Sequence, residues 1–248
     1  MKKKIIGEKI YIFEELSSTM DTSKEMIHRG VEEGTVVMAR HQRKGRGSNN
    51  REWVSKGRDA LFSMILDTNI SKVNLLPIIT AYSILITLEK RTKRKINIKW
   101  PNDVLIDGKK ISGVLIENFI EGKFSKTIVG VGININSSHK DLKEFIYPST
   151  SLKEILNKET SVLEIVKEFL ENFNPLYKKL LCEDIDLEKI SKKLYGLGKE
   201  IKFRTNYSRN EDSTNIYKII SLNSDGTLKV YNPNGEKLDL SSSEITSN

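Results

Sequence analysis

Ile96-Asn97-Ile98-Lys99-Trp100-Pro101-Asn102-Asp103-Val104-Leu105-Ile106-Asp107-Gly108-Lys109-Lys110-Ile111-Ser112-Gly113-Val114-Leu115-Ile116 decides the fold. Ile96, Ile98 and Trp100 alternate with polar residues, the period of a half-buried strand. Pro101-Asn102-Asp103 then stops regular pairing, because proline cannot donate to a ladder and the two residues after it favour turns. Val104-Leu105-Ile106 resumes the strand, and Asp107-Gly108 between apolar runs predicts a hairpin into residues 111–116. The expected result is a hairpin preceded by an irregular polar strand end.

Toward the N-terminus, Leu75, Ile79, Tyr82, Leu85, Ile86 and Leu88 give residues 75–94 the apolar face of a long helix with Lys and Arg at its end. Strands are predicted over 61–66 and 36–39. Ahead of them Ser18 and Asp21 resemble a capping box opening a helix that runs to about Arg29 and stops at Gly30. Ile10, Ile12 and Leu16 alternate before it. Toward the C-terminus, residues 127–135 read as a strand with Gly130 and Gly132 inside it, which implies close approach by a ligand or another backbone. A helix is expected over 161–180, capped by Ser161 and Glu164 and kinked or broken at Asn174-Pro175. A last helix is expected near 186–195. Gly196-Leu197-Gly198 then marks a change to short polar strands at 200–204, 215–221, 226–231 and 236–240, which suit a small β-barrel. The expected division is 1–195 and 196–248.

Composition excludes several classes. With 38% hydrophobic and 30% charged residues the chain is expected to be soluble, and no run approaches a membrane span. Met1 to Gly7 has the positive start of a signal peptide, but Glu8, Lys9, Glu14 and Glu15 interrupt any apolar core, so a cytoplasmic location is expected. Cys182 cannot form an intrachain disulfide, and its apolar helical context predicts a core position. His28, His41 and His139 lack any ligand spacing, so no protein metal site is expected. The net charge of +8 is spread along the chain without a nucleic-acid-binding motif.

Gln42-Arg43-Lys44-Gly45-Arg46-Gly47-Ser48-Asn49-Asn50-Arg51-Glu52-Trp53 lies between the two strands at 36–39 and 61–66. Gly45 and Gly47 allow close backbone approach, Arg46 and Arg51 are planar forks suited to phosphate or carboxylate, and Trp53 could cover a base. By itself the stretch is equally compatible with a solvated turn.

Taken together, Ser18-Thr19, this loop, Lys99-Trp100-Pro101-Asn102-Asp103 with Lys110-Ile111-Ser112-Gly113, and Gly130-Val131-Gly132-Ile133-Asn134-Ile135-Asn136 resemble the catalytic core of biotin-protein ligases. The resemblance runs from about Phe13 to the C-terminus. It implies an α+β fold, a mixed β-sheet flanked by helices as in class II aminoacyl-tRNA synthetases and biotin/lipoate ligases, with a C-terminal SH3-like β-barrel. It further implies that biotin and ATP form biotinyl-5′-AMP, and that a lysine of a biotin carboxyl carrier protein domain then takes the biotinyl group. Mg²⁺ would accompany ATP, held mainly by substrate oxygens and water.

By motif position, Ser18, Thr19, Gln42, Gly45 and Arg46 would hold biotin, with Gly113 and Leu115 lining its pocket. Lys110 would bridge biotin and phosphate, and Arg46 and Arg51 would join it in offsetting the repulsion between two anions. Arg51, Trp53, Asn102, Lys110 and Asn134 would contact ATP, and Asp103 would orient or deprotonate the incoming lysine. The chain departs from the family at Ser48, where a basic residue is usual, so looser retention of biotinyl-5′-AMP is expected. Only a short strand precedes Ser17, so the DNA-binding domain of some relatives and DNA repression are not expected, nor is a membrane partner. Either a monomer or a homodimer is compatible. The competing readings are a lipoate-ligase-like enzyme, a basic nucleic-acid-binding module and a non-catalytic biotin sensor.

Overall fold

The computed structural model describes residues 5–48, 51–67, 73–121, 124–142, 148–205, 214–242 and 245–246. Met1 to Lys4 and, within the glycine loop, Asn49 and Asn50 lie outside the described residues. In chain order the first half comprises β1 (Ile10–Leu16), α1 (Thr19–His28), β2 (Val36–Gln42), β3 (Ala60–Asp67), α2 (Leu76–Thr92), β4 (Ile96–Lys99), β5 (Asp103–Ile106), β6 (Lys109–Glu121) and β7 (Phe124–Ile133). The short helices α3 (His139–Leu142) and α4 (Leu152–Leu156) follow, then α5 (Val162–Leu181) and α6 (Leu187–Ser191). Strands β8 (Glu200–Thr205), β9 (Thr214–Leu222), β10 (Leu228–Tyr231), β11 (Lys237–Leu240) and β12 (Ile245–Thr246) close the chain.

Among the described residues these strands form two sheets. The seven-stranded one runs β1-β2-β3-β7-β6-β5-β4, with β1 parallel to β2 and every other neighbour antiparallel. The five-stranded one, β11-β10-β9-β8-β12, is antiparallel throughout and fits an SH3-like unit. The hairpin expected at Asp107-Gly108 is present, and both residues have positive φ, 49° and 80°, as a type I′ turn requires.

The large sheet is covered unequally. On one face Phe62, Met64 and Leu66 join α2 and α5 in the main core, with Phe62 5.2 Å from Phe169 between ring centroids. On the other face Ile65 and Ile128 pack on Met20 and Ile27 of α1 alone. β3 is buried on both faces, which is why its sequence, apart from Ser63 and the terminal Asp67, is apolar rather than alternating. The ten-residue α1 packs on β2, β3 and β7, and the site forms beside its N-terminus, reaching across β7 to β6 and β5.

Four local expectations are revised. α5 continues unbroken through Pro175, since Pro175 and Glu171, the residue whose carbonyl it leaves unpaired, are both exposed. Cys182 is the exposed C-cap of α5, one residue beyond its apolar stripe, and not a core residue. α6 spans only Leu187–Ser191, shorter than expected. Among the described residues Val73–Thr92 is, by length and composition, apolar enough to cross a membrane, a run the composition argument overlooked. Its apolarity has a local cause: eleven residues of α2 are buried against the sheet and α5.

Candidate active site

One cross-strand row organises the site: Leu61 on β3 pairs with Gly132 on β7, Gly132 with Gly113 on β6, Gly113 with Asp103 on β5, and Asp103 with Lys99 on β4. Paired residues project to one face, so two glycines form a flat floor between an apolar wall and a charged one. The indole of Trp53 rests on that floor. A Cβ on Gly132 would lie 2.4 Å from Trp53 Cε2, and one on Gly113 would lie 3.1 Å from Trp53 Cζ3. The close approach that these glycines implied is therefore made by the chain's own tryptophan. At Gly130 it is made by Met20, whose Sδ would lie 2.7 Å from an added Cβ.

At the N-terminus of α1 short polar groups interlock. Ser18, as N-cap, accepts from the Met20 N–H at 3.3 Å, Gln42 Oε1 accepts from the Thr19 N–H at 2.7 Å, and the Thr19 and Ser63 hydroxyls meet at 2.7 Å. The Asp21 carboxylate turns away from the capping box expected with Ser18. It takes the Arg46 guanidinium at 2.6 Å, while Glu117 takes the other end of that guanidinium at 3.2 Å. Burial works against the Arg46 charge, but its hydrogen bond to Asp21 and the charge of Glu117 outweigh it, and its pKa is raised. The side chain thus fastens the loop to α1 and β6 while also lining the inner cavity.

The loop is folded on itself. Trp53 donates its backbone N–H to the Gly45 carbonyl at 2.9 Å, Gly47 to the Arg51 carbonyl at 2.7 Å, and the Arg51 N–H and Nε both to the Ser48 carbonyl. Gly45 is required because a Cβ there would lie 2.4 Å from the Trp53 carbonyl oxygen. Ser48 meets the polar strand end directly, its Oγ accepting from Asn102 Nδ2 at 2.9 Å, and Asn102 also donates to the Val114 carbonyl at 2.7 Å. Lys110 Nζ pairs with Asp103 at 2.6 Å and stands 5.7 Å from the Trp53 ring centroid. Burial lowers the pKa of Lys99, the charge of Asp103 raises it, and Lys110 and Arg51 add to the lowering.

Ser18, Thr19, Gln42, Arg46, Trp53, Asn102, Asp103, Lys110, Gly113 and Leu115 therefore all line one inner cavity of about 40 Å³. Gly45 and Arg51 line an adjoining outer cleft of about 510 Å³ with Arg46, Leu115 and Glu117. Asn134 lines neither. It is 3% exposed and donates Nδ2 to the Thr150 carbonyl at 3.0 Å, holding the segment that leads into α4.

The model of the biotin/lipoate A/B protein ligase family matches residues 12–134, the stretch that contains this row, the loop and both cavities. The chain belongs to that family. Like other members of it, the chain has curated relatives. One is the bifunctional ligase/repressor BirA of Bacillus subtilis, 28% identical over 242 residues, covering 96% of this chain and 74% of the relative. Another is the biotin–[acetyl-CoA-carboxylase] ligase of Paracoccus denitrificans, 27% identical over 171 residues, covering 66% and 70%. The structure of the Aquifex aeolicus biotin protein ligase in complex with biotin and ATP superposes with a TM-score of 0.81 at 29% identity, covering 96% of this chain and 98% of that one.

Sequence reasoning missed Asp59, Asn136 and Ser137, which are buried beside the site and hold its backbone. Asp59 carried one signal: an acidic residue immediately before a mostly apolar strand stands where a solvated charge is hard to keep.

Proposed function

We propose that this ligase activates biotin with ATP to biotinyl-5′-AMP and transfers the biotinyl group to a lysine of a biotin carboxyl carrier domain. The observation that carries the reading is the Lys110–Asp103 pair at 2.6 Å beside the glycine floor, with the hydrogen-bonding cluster of Ser18, Thr19 and Gln42 at the other end of the same cavity. Those short donors and acceptors suit a ureido ring, and the apolar Leu115 and Gly113 suit an aliphatic tail.

In the first step the carboxylate attacks the α-phosphorus and pyrophosphate leaves. Lys110 neutralises the charge that builds up between the two anions, with Arg51 reaching the phosphates from the outer cleft. As Lys110 turns to the phosphate it releases Asp103. The freed carboxylate is then placed to orient the incoming amine and take its proton while that amine attacks the acyl carbonyl and AMP departs. Arg46 contributes through its backbone. Trp53 moves off the glycine floor to make room and covers the nucleotide, and Asn134 acts on the nucleotide half by holding Thr150. Mg²⁺ would ride on the triphosphate oxygens, since among the described residues no three of His, Cys, Asp and Glu lie together as a cage.

Biotin-dependent ATP–pyrophosphate exchange, followed by label transfer to a carrier domain, tests this. Exchange with both partners present and transfer to the carrier are expected. Exchange driven by lipoate and not by biotin overturns the substrate assignment, and biotin binding without exchange overturns the enzyme.

A further inference from the structure

Asp59 is 2% exposed and lies outside both cavities, yet it collects more donors than any group in the proposed mechanism. Its Oδ1 accepts the consecutive backbone N–H groups of Ile135, Asn136 and Ser137 at 2.7, 3.2 and 3.2 Å. Its Oδ2 accepts the Ser55 hydroxyl at 3.0 Å and the Ser137 hydroxyl. Three successive N–H groups converging on one point form an anion nest, and here the chain's own carboxylate fills it. The segment in that nest follows directly on Asn134 at the end of β7. Its opposite edge is bound to the start of α4: Leu152 N–H donates to the Asn134 carbonyl, Lys153 N–H to the Ile135 carbonyl at 2.8 Å, and Ser151 Oγ to the Ser137 carbonyl at 2.7 Å. Ser55 and Asp59 belong to the arm that follows Trp53.

We propose that Asp59 is a positioning residue for the nucleotide half of the reaction: one buried carboxylate fixes the arm carrying Trp53 against the segment carrying Asn134. The pairing sets the separation of the two elements assigned above to ATP, and leaves the Ser18, Thr19 and Gln42 end untouched. This rests on the ATP-dependent reading of the site. It differs from a general role in stability by being one-sided: loss of Asp59 disturbs ATP and spares biotin.

The test compares the wild-type chain with Asp59→Asn, Asp59→Ala and Ser55→Ala in biotin-dependent ATP–pyrophosphate exchange, and follows amide hydrogen exchange in the same proteins. Hydrogen bonds to a buried charge are strong enough that Asp59→Asn should raise KM for ATP about 10-fold or more, with KM for biotin within about 2-fold. Asp59→Ala should be worse, with partial recovery in the Asn variant, and the amides of 135–137 should exchange faster in both. Ser55→Ala leaves the nest intact and should shift KM for ATP in the same direction by less. An equal rise in both KM values, or an unchanged ATP KM in Ser55→Ala, overturns the inference, and the serine variant decides if the Asp59 variants fail to fold. Absence of exchange in the wild type would instead refute the ATP-dependent reading, while the amides of 135–137 would still report on the nest.

Discussion

Ser48 accepts a hydrogen bond from Asn102 at the position where the family resemblance implies a basic side chain, a neutral strap in place of the charged hold on the acyl phosphate that the resemblance would supply. A charge-assisted hydrogen bond contributes about 1.5–3 kcal/mol, roughly 10- to 100-fold in retention. Ser48→Arg is accordingly expected to cut labelling of bystander lysines by about 10-fold or more when biotin and ATP are supplied without a carrier. Unchanged labelling would mean that the strap holds the intermediate as well as the charge would. On the proposed mechanism the Lys110–Asp103 pair divides the two steps. Lys110→Met should lower pyrophosphate exchange by about 10²–10³-fold, as loss of a transition-state donor does. Asp103→Asn should slow transfer to the carrier far more than exchange, and equal losses in both assays would count against separate roles. At this scale the motifs located the pocket well, because glycine pairs and polar strand ends are local signals. They did not reveal that Arg46 would be claimed by Asp21 and Glu117, which lie 25 and 71 residues away.

Among the elements, α2 and α5 depend on each other for burial, and Arg91 joins them across the solvent edge, its Nε donating to Glu168 at 2.8 Å. Arg91's hydrogen bond holds the Glu168 carboxyl below its ordinary value of 4.5. A depressed carboxyl contributes stability above its unfolded pKa and loses it as the pH falls through the folded one. Since the pair is partly exposed, Arg91→Met should lower stability by only about 0.2–1 kcal/mol near neutral pH. Denaturant midpoints should converge for the two proteins as the pH falls through the lowered pKa of Glu168, and a difference that persists once that carboxyl is protonated would place the effect in lost packing instead. The long helices and the Asp107-Gly108 hairpin were legible because periodicity and turn chemistry are written within the element. Pro175 was misread because its tolerance depends on which face of α5 meets solvent, a tertiary fact.

Across the whole molecule, the mixed sheet followed from the family resemblance, whereas its order did not, since β7 lies beside β3 across an intervening stretch, residues 68–123, that no local pattern encodes. The join between the two sheets was equally hidden. Trp100, next to the polar strand end, donates its indole N–H to the Gly226 carbonyl at 3.1 Å, and a Cβ on Gly226 would lie 2.9 Å from the Asn74 carbonyl oxygen ahead of α2. Nearby, Ile98 exchanges backbone hydrogen bonds with Lys193 and Tyr195. Trp100→Phe should therefore lower stability by about 1–3 kcal/mol, read as a denaturant midpoint, by leaving a buried carbonyl unpaired. No measurable loss would show the joint to be slack. The Trp100 contact also makes the chain divisible in an unusual way. A protein cut between 196 and 198 and supplied as two pieces would have its chemistry on one and the brace for its polar strand end on the other, so labelling would begin only where the pieces meet, and the break itself would serve as a proximity switch.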